Sequence, residues 1–576
     1  MSRDEDPDKG FAQFEQFLEE WSRRDFLKRT GGAAAYLAFM AGGAELLAAA
    51  CGPGTSTSQT PKKGGHVVEG NFSDIRTLNS MLSSDTASNQ VIGLMFDGLL
   101  NQKKNGDLIG ALAKDVPKPS SDGLTYEFKL RDGIKWSDGQ DITADDVVFT
   151  YKIAYDPAYK DFASPRRGDL ETYIDSVSAT DAKTVVIKTK TVFAPFLGAH
   201  AGYGILPKHV LGNLDGKALN TADFNNAPTV VNGPFKFVKW DKGQQVTLER
   251  NDSYWQGAPY LDQWIYKVLP DSVAVTNQLK TGEIDIGPVD PGQFDNLKGA
   301  DTIQTPVEFP VPSFTFYAYN LDPSKPAGKL FAQREVRQAL LFALDRQKIV
   351  TAVFFGHGKV ANSVEPPTSW AYKDKPAVLY TFDKAKAESL LDGAGWVKGS
   401  DGIRVKDGVK LKFEMHTNQG NKQRETMLTI MQQSWKDIGV DATPKLIQFP
   451  QLVTEIVDTR TFDMFLVGFN WSVDPDEAPL YHSRNTVPGG FNGAFFKNSQ
   501  VDSILDQALA TLDQSKRKDL YFQFQDIMSQ EVPSPVILFN TGIWAFSKRV
   551  QGTDFGPFNQ FGTRPWASKV WVTDGK

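Results

Sequence analysis

Residues 124–140, L-T-Y-E-F-K-L-R-D-G-I-K-W-S-D-G-Q, alternate apolar and polar side chains and then contain two Asp-Gly pairs. Alternation predicts a half-buried strand, and Asp-Gly pairs are typical of tight turns, so we predict a β-hairpin here. Thr143 follows, with Asp146 three residues later, which is the pattern of a capping box at the start of a helix. A strand pattern so closely followed by a helix start indicates a mixed α/β chain.

The rest of the chain continues this mixture without a strict β-α-β rhythm. Strand patterns lie at residues 64–72 and 184–190, and apolar residues recur at helical spacing in residues 334–350, 383–394 and 421–439. No segment repeats at a fixed period, which argues against a solenoid or a propeller. The chain of 576 residues is long enough for roughly three or four domains.

The composition argues against several classes of function. A formal net charge of −6, without a concentrated basic face, argues against nucleic-acid binding. The single cysteine cannot form a thiolate cluster, and none of the six histidines has another three or four residues later, so we predict no metal site and no cofactor. The common motifs of zinc proteases, serine hydrolases and nucleotide-binding enzymes are absent from the sequence, and we expect no enzyme. An extracytoplasmic hydrolase stays as an alternative.

A distinctive segment precedes these elements. Residues 22–28, S-R-R-D-F-L-K, resemble the twin-arginine export signal, with the two arginines at Arg23 and Arg24. A Gly- and Ala-rich run follows and ends in L-L-A-A-A-C-G, which looks like a lipobox whose Cys51 receives lipid. Glu45 lies inside this run and argues against a transmembrane helix, because an acidic side chain at mid-bilayer is costly.

We therefore expect residues 1–51 to be a signal with a lipidation site and residues 52–64, rich in Gly, Ser, Thr and Pro, to be a flexible tether. The remainder is expected to work outside the cytoplasmic membrane, held to it by lipid. An uncleaved N-terminal anchor and a buried core cysteine are the alternatives.

Residues 465–480, F-L-V-G-F-N-W-S-V-D-P-D-E-A-P-L, combine a strand pattern with an aromatic and acidic loop. The strand end delivers Trp471 and Asp474, and an aromatic face beside a carboxylate suits a cleft that binds a ligand cation. The alternative is a solvated acidic turn between two prolines.

Eight segments, the first of which includes the strand and turns described above, stand in a characteristic order. They are Y-E-F-K-L-R-D-G-I-K-W-S-D-G-Q-D-I-T-A-D-D-V-V-F-T, I-L-P-K-H-V, N-G-P-F-K-F-V-K-W, E-R-N-D-S-Y-W-Q-G-A-P-Y-L-D, L-K-T-G-E-I-D-I, V-R-Q-A-L-L-F-A-L-D-R, A-E-S-L-L-D-G-A-G-W and V-D-S-I-L-D-Q-A. From about Gly65 to the end, the chain resembles the extracytoplasmic solute-binding proteins of family 5, the peptide/nickel type that serves ABC importers.

The resemblance implies an α/β fold of the type II periplasmic-binding-protein class. Such a clamshell has two lobes with mixed sheets and flanking helices, together with a third, inserted domain. We expect lobe I at residues 65–95, 231–315 and 531–576, the inserted domain at 96–230 and lobe III at 316–530.

The resemblance also implies a function. The lobes would close on an oligopeptide or dipeptide, and the protein, as a monomer, would deliver it to the importer's permease subunits. In the family's W-x-x-D motif the aspartate holds the α-ammonium of the ligand, and here that motif is Trp471 to Asp474. The continuation D-P-D-E is one residue shorter than the common D-x-x-D-P, so the register of Asp474 and Asp476 stays open.

Further candidates come from two other positions. Asn71, Phe72 and Ser73 at the end of the first strand are implied to line the cleft, and Asn418 and Arg424 lie near where some members hold the ligand carboxylate. Oligosaccharides, metal chelates and other small solutes are alternatives within the same family.

Overall fold

The structure is a computed structural model that describes residues 60–471, 474–559 and 564–575. The predictions for Arg23, Arg24 and Cys51 lie outside these residues. Within the described part, no helix has both the length and the apolar character needed to cross a membrane. Residues Pro61–Lys576 form one compact unit, so the boundaries of the two lobes and the inserted domain stay predictions.

The strands are β1 His66–Asn71, β2 Leu100–Gln102, β3 Leu108–Gly110, β4 Thr125–Lys129, β5 Ile174–Asp181, β6 Thr184–Thr189, β7 Phe235–Asp241, β8 Gln245–Arg250, β9 Gln263–Val268, β10 Ile286–Pro288, β11 Val307–Tyr319, β12 Lys359–Val360, β13 Val397–Lys398, β14 Arg404–Lys406, β15 Val409–Lys410, β16 Lys412–Asn418, β17 Asp441–Ile447, β18 Met464–Asn470, β19 Val536–Phe546, β20 Val550–Gln551 and β21 Trp571–Val572.

The helices are α1 Thr86–Met95, α2 Ala144–Tyr155, α3 Arg167–Tyr173, α4 Phe196–His200, α5 Lys208–Leu211, α6 Gly216–Thr221, α7 Ser272–Thr281, α8 Phe294–Leu297, α9 Pro326–Leu330, α10 Arg334–Phe342, α11 Arg346–Phe354, α12 Lys384–Gly393, α13 Lys422–Lys436, α14 Phe449–Thr454, α15 Ala478–Tyr481, α16 Ser499–Leu509 and α17 Gln514–Glu531. A π-helical turn at Glu455–Thr459 follows α14, and short 3-10 turns lie between several of the other elements.

A large mixed sheet forms the frame of the molecule. Its strand order is β17-β16-β18-β11-β19-β10-β1-β9-β8-β7. The long strands β11 and β19 pair antiparallel with each other, and each also pairs with strands on the far side. We call β10-β1-β9-β8-β7 the first half of the sheet and β18-β16-β17 the second half, because β11 and β19 join the two.

Alternation along β11 explains how one strand serves two cores. Phe314 and Phe316 point into an apolar cluster on one face of the second half, and Tyr317 and Tyr319 point into another cluster on the opposite face. Successive side chains of a strand lie on opposite faces, so S-F-T-F-Y-A-Y buries aromatic groups in both directions. A third cluster joins the first half to residues of the 96–230 region, including Trp136 and Trp264.

Most local predictions are confirmed. The capping box of Thr143 and Asp146 starts α2, and the strands expected at residues 64–72 and 184–190 are β1 and β6. The helical pattern of residues 334–350 forms two helices, because Asp345 caps a new helix. Its side chain accepts from Lys348 N at 2.9 Å.

The predicted hairpin at residues 124–140 is wrong in its pairing. Both Asp-Gly turns form, with positive φ at Gly133 and Gly139, but β4 pairs antiparallel with β6 instead of with the segment that follows it. The second turn holds a single bridge between Lys135 and Asp141. In the small sheet β4-β6-β5, the central strand β6 is therefore distant in sequence from its neighbour β4.

Candidate functional site

A cavity of about 320 Å³ lies where β11 and β19 join the two halves of the sheet. Both halves and both shared strands contribute to its lining. The lining residues include Asn71, Phe72, Ser73, Thr86 and Gln90 from the first half and its helix, Arg424, Phe449, Val467, Gly468 and Asn470 from the second half, and Ser313, Thr315, Asn540, Thr541 and Trp544 from the shared strands.

The end of β1 presents a turn to this cavity. Asn71 donates from Nδ2 to Gln90 Oε1 at 2.9 Å, and its Oδ1 accepts from Ser73 N at 3.1 Å. The side chain of Asn71 thus fixes both the end of the strand and its distance from α1. The structure places Asn71, Phe72 and Ser73 at the cavity, where the sequence predicted cleft residues.

Arg424 is the charged group on the opposite side of the cavity. Its Nη1 donates to Asn418 Oδ1 at 2.7 Å, which joins the partly buried start of α13 to the buried end of β16. Burial is the cause that lowers the pKa of Arg424 to about 10. A Cβ at position 468 would lie 2.7 Å from Arg424 Nη2, so a larger residue there would push the guanidinium out of its present position.

A partly buried guanidinium whose side-chain acceptor among the described residues is the neutral amide of Asn418 favours an anionic ligand. Asn421 and Gln423 bring the first turn of α13 to the same cavity. The N-terminus of a 15-residue helix adds to the preference for negative charge. Asn418 itself is buried and supports Arg424 without lining the cavity.

Hydrogen bonds join the two halves across the cavity. Gln423 Nε2 donates to Asp290 Oδ2 at 2.6 Å, and Asn470 Nδ2 donates to Thr86 Oγ1 at 3.0 Å. Arg484, which follows α15, also donates from Nη2 to the hydroxyl of Tyr173 in α3 at 2.5 Å. The structure therefore has its halves in contact around the cavity.

Asp474 forms a two-point ion pair with Arg517. Arg517 Nη2 lies 2.5 Å from Asp474 Oδ1 and Nη1 lies 3.0 Å from Oδ2. Burial acts against the guanidinium charge, but the hydrogen bond and charge of Asp474 outweigh it, and the pKa of Arg517 rises. Asp474 is not one of the residues that line the cavity.

Trp471 is 8% exposed and packs against Phe314 and Phe469, with ring centroids 5.9 and 5.0 Å apart. It contributes to the core beneath the strand end and is not among the cavity-lining residues. The roles of Trp471 as a cleft wall and of Asp474 as an amine anchor stay predictions.

The loop after Asp474 is not a solvated acidic turn. Asp476 and Glu477 are buried, and Glu477 lies beside Glu365, which is also fully buried. Burial, with the neighbouring charge of Asp169, raises the pKa of Asp476 to about 7. Burial likewise raises the pKa of Glu365 and of Glu477. Burial favours the neutral form of these three acids, which suits their position in the core.

The sequence analysis did not predict the polar residues of the shared strands. Asn540 donates to Ser313 Oγ at 2.8 Å and accepts from Thr315 Oγ1 at 2.9 Å, so three polar side chains form one network on the cavity wall. Their signal is visible in retrospect: polar residues stand at alternating positions in S-F-T within an otherwise aromatic strand.

Comparisons with known proteins agree with one another. A family model described as bacterial extracellular solute-binding proteins, family 5 Middle, matches residues 107–491. The chain is 32% identical over 501 residues to the oligopeptide-binding protein AppA of Bacillus subtilis (86% of this chain, 90% of AppA). It is 29% identical over 494 residues to the glutathione-binding protein GsiB of Escherichia coli K12 (83% of this chain, 90% of GsiB).

Two solved structures are similar throughout. Bacillus subtilis AppA in complex with a nonapeptide aligns with a TM-score of 0.84 at 31% identity, covering 89% of this chain and 100% of that one. NikZ from Campylobacter jejuni in complex with Ni(L-His) aligns with a TM-score of 0.78 at 28% identity, covering 88% of this chain and 99% of that one.

Proposed function

Because this chain belongs to family 5 of the bacterial extracellular solute-binding proteins, we propose that it captures an oligopeptide or a dipeptide and delivers it to the permease of an ABC importer. Its fold is the predicted α/β clamshell of the type II periplasmic-binding-protein class. Capture needs closure around a ligand and no chemical step, so we propose binding without catalysis.

The observation that carries this proposal is the position of the partly buried Arg424 in the cavity wall, beside the ends of β16 and β18. β16 pairs with β18 at Met464 and Phe465. Further along β18, Val467, Gly468 and Asn470 line the cavity, so this part of the strand presents its edge there. An extended peptide can pair its backbone with such an edge, while a guanidinium takes its carboxylate. The AppA structure with a nonapeptide supports a peptide as the solute.

A thermal-shift screen of the purified protein tests the proposal. Dipeptides and longer peptides are expected to raise the melting temperature, since a ligand at 100 times its Kd stabilises the folded state by about 2.7 kcal/mol. The screen includes oligosaccharides and nickel–histidine chelates as matched arms. If the melting temperature rises with one of these and with no peptide, that solute class becomes the proposed ligand in place of the peptide.

We also propose that residues 1–51 direct export and that Cys51 carries the lipid anchor. The sequence motifs support this, and the family is extracellular. A Cys51→Ser chain is expected to move from the membrane fraction to the soluble extracytoplasmic fraction. A chain with Arg23→Lys and Arg24→Lys is expected to stay in the cytoplasm, which separates export from anchoring. Continued membrane association of the Cys51→Ser chain would indicate an uncleaved anchor.

A further inference from the structure

The carboxylates that could be candidates for a ligand ammonium are already engaged by groups of the protein. Asp290 accepts from Ser272 Oγ at 2.9 Å and from Gln423 Nε2 at 2.6 Å. Glu308 is hydrogen bonded to the ring of His357 at 2.9 Å, and Asp474 is held by Arg517 as described above. Each of these acids therefore neutralises or orients a protein group.

Within the described ranges, no Asp or Glu lines the cavity. The two internal gaps at 472–473 and 560–563 contain no acidic residue in the sequence. Arg424 provides the fixed charge at the site, and its side-chain partner is the neutral Asn418. The electrostatic character of the site is therefore that of an anion receptor.

A ligand carboxylate and a ligand ammonium differ in the binding free energy that they would gain at this site. A carboxylate that meets a partly buried guanidinium gains a charge-assisted bond in a region of lower dielectric constant than bulk water. An ammonium that enters beside an uncompensated cation loses hydration and gains only neutral acceptors, which is unfavourable. Removing the ammonium charge from the ligand should therefore change its affinity for this site little.

We propose that the cleft selects its solute through a carboxylate and does not require a free α-ammonium, so that N-terminally blocked peptides are ligands. This rests on the proposed function for the peptide part of the ligand. It differs from an anchor at Asp474, which would make the free amine essential.

Three forms of one mixed library of dipeptides and tripeptides test the inference: free, N-acetylated and C-terminally amidated. Binding is measured by calorimetry, with retained peptides identified by mass spectrometry. We expect N-acetylation to change Kd by less than about threefold. Amidation, which removes the partner of Arg424, is expected to weaken binding by at least about thirtyfold.

A loss of more than about tenfold on N-acetylation, with amidation tolerated, would overturn the inference and support Asp474 as an amine anchor. A fourth arm of N-acetyl amino acids and aliphatic dicarboxylates separates this result from failure of the proposed function. If those compounds bind and no peptide does, the peptide proposal fails and the carboxylate inference stands. If none of the four arms binds, both are overturned.

Discussion

Replacing Arg424 by glutamine is expected to weaken the binding of a peptide with a free carboxylate by about 2–5 kcal/mol, or roughly 30-fold to several thousand-fold in Kd. Arg424 is partly buried and lines the cavity, so its bond to a ligand carboxylate would be partly shielded from bulk water. Glutamine keeps a polar group next to Asn418 but has no charge. Isothermal titration calorimetry of both proteins with the same peptide measures the difference.

The same substitution is expected to leave the ligand-free protein at least as stable as the parent. Burial penalises the charged form of Arg424. Its side-chain partner in the described part of the chain is the neutral Asn418, so removing the charge relieves this penalty. Loss of affinity with an undiminished melting temperature would therefore identify a residue kept for binding.

Arg334→Gln is the matched control, because Arg334 lies at the surface with 47% of its side chain exposed. It should change neither affinity nor ligand preference. A C-terminally amidated peptide completes the cycle: it should bind the parent and the Arg424→Gln variant nearly equally. Equal loss for the acid and the amide would mean that Arg424 shapes the cleft without contacting the carboxylate.

The parts of the fold that could be predicted from the sequence are those with local signals. The α2 helix begins where Thr143 N donates to Asp146 Oδ2 at 2.9 Å, a contact between residues three apart. The end of the first strand is also local, and the structure places Asn71 and Phe72 at the cavity. Spacing and turn residues suffice for such features because the interacting groups are neighbours in the chain.

Other features depend on which distant segments meet. The edge of β4 is taken by β6, although a turn sequence follows β4 directly, because pairing depends on the completed sheet and its core. The carboxylate of Asp474 meets Arg517, 43 residues away. A sequence motif shows that an acid is present at a strand end, but it cannot show whether a protein cation reaches that acid before a ligand does.

The buried pair of Glu69 and Arg564 is expected to give the largest loss of stability on mutation. Arg564 donates from Nη1 and Nη2 to the two carboxylate oxygens at 2.6 and 2.8 Å, and each side chain is 1% exposed. Arg564→Met would leave a carboxylate buried without its cation, at a cost of about 3–5 kcal/mol. Urea unfolding of the ligand-free protein measures this loss.

A double variant distinguishes the cost of an orphaned charge from the cost of altered packing. With Glu69→Met and Arg564→Met together, no charge remains, and replacement of a buried ion pair by apolar groups is often neutral. We expect the double variant to recover most of the loss, apart from about 1–3 kcal/mol for Trp264, whose Nε1 donates to Glu69 at 3.0 Å. Arg334→Met, at a surface ion pair with Glu531, should change stability by at most about 1 kcal/mol. A double variant as unstable as Arg564→Met would show that the side chains hold β1 and the C-terminal segment together by shape, and that the charges are secondary.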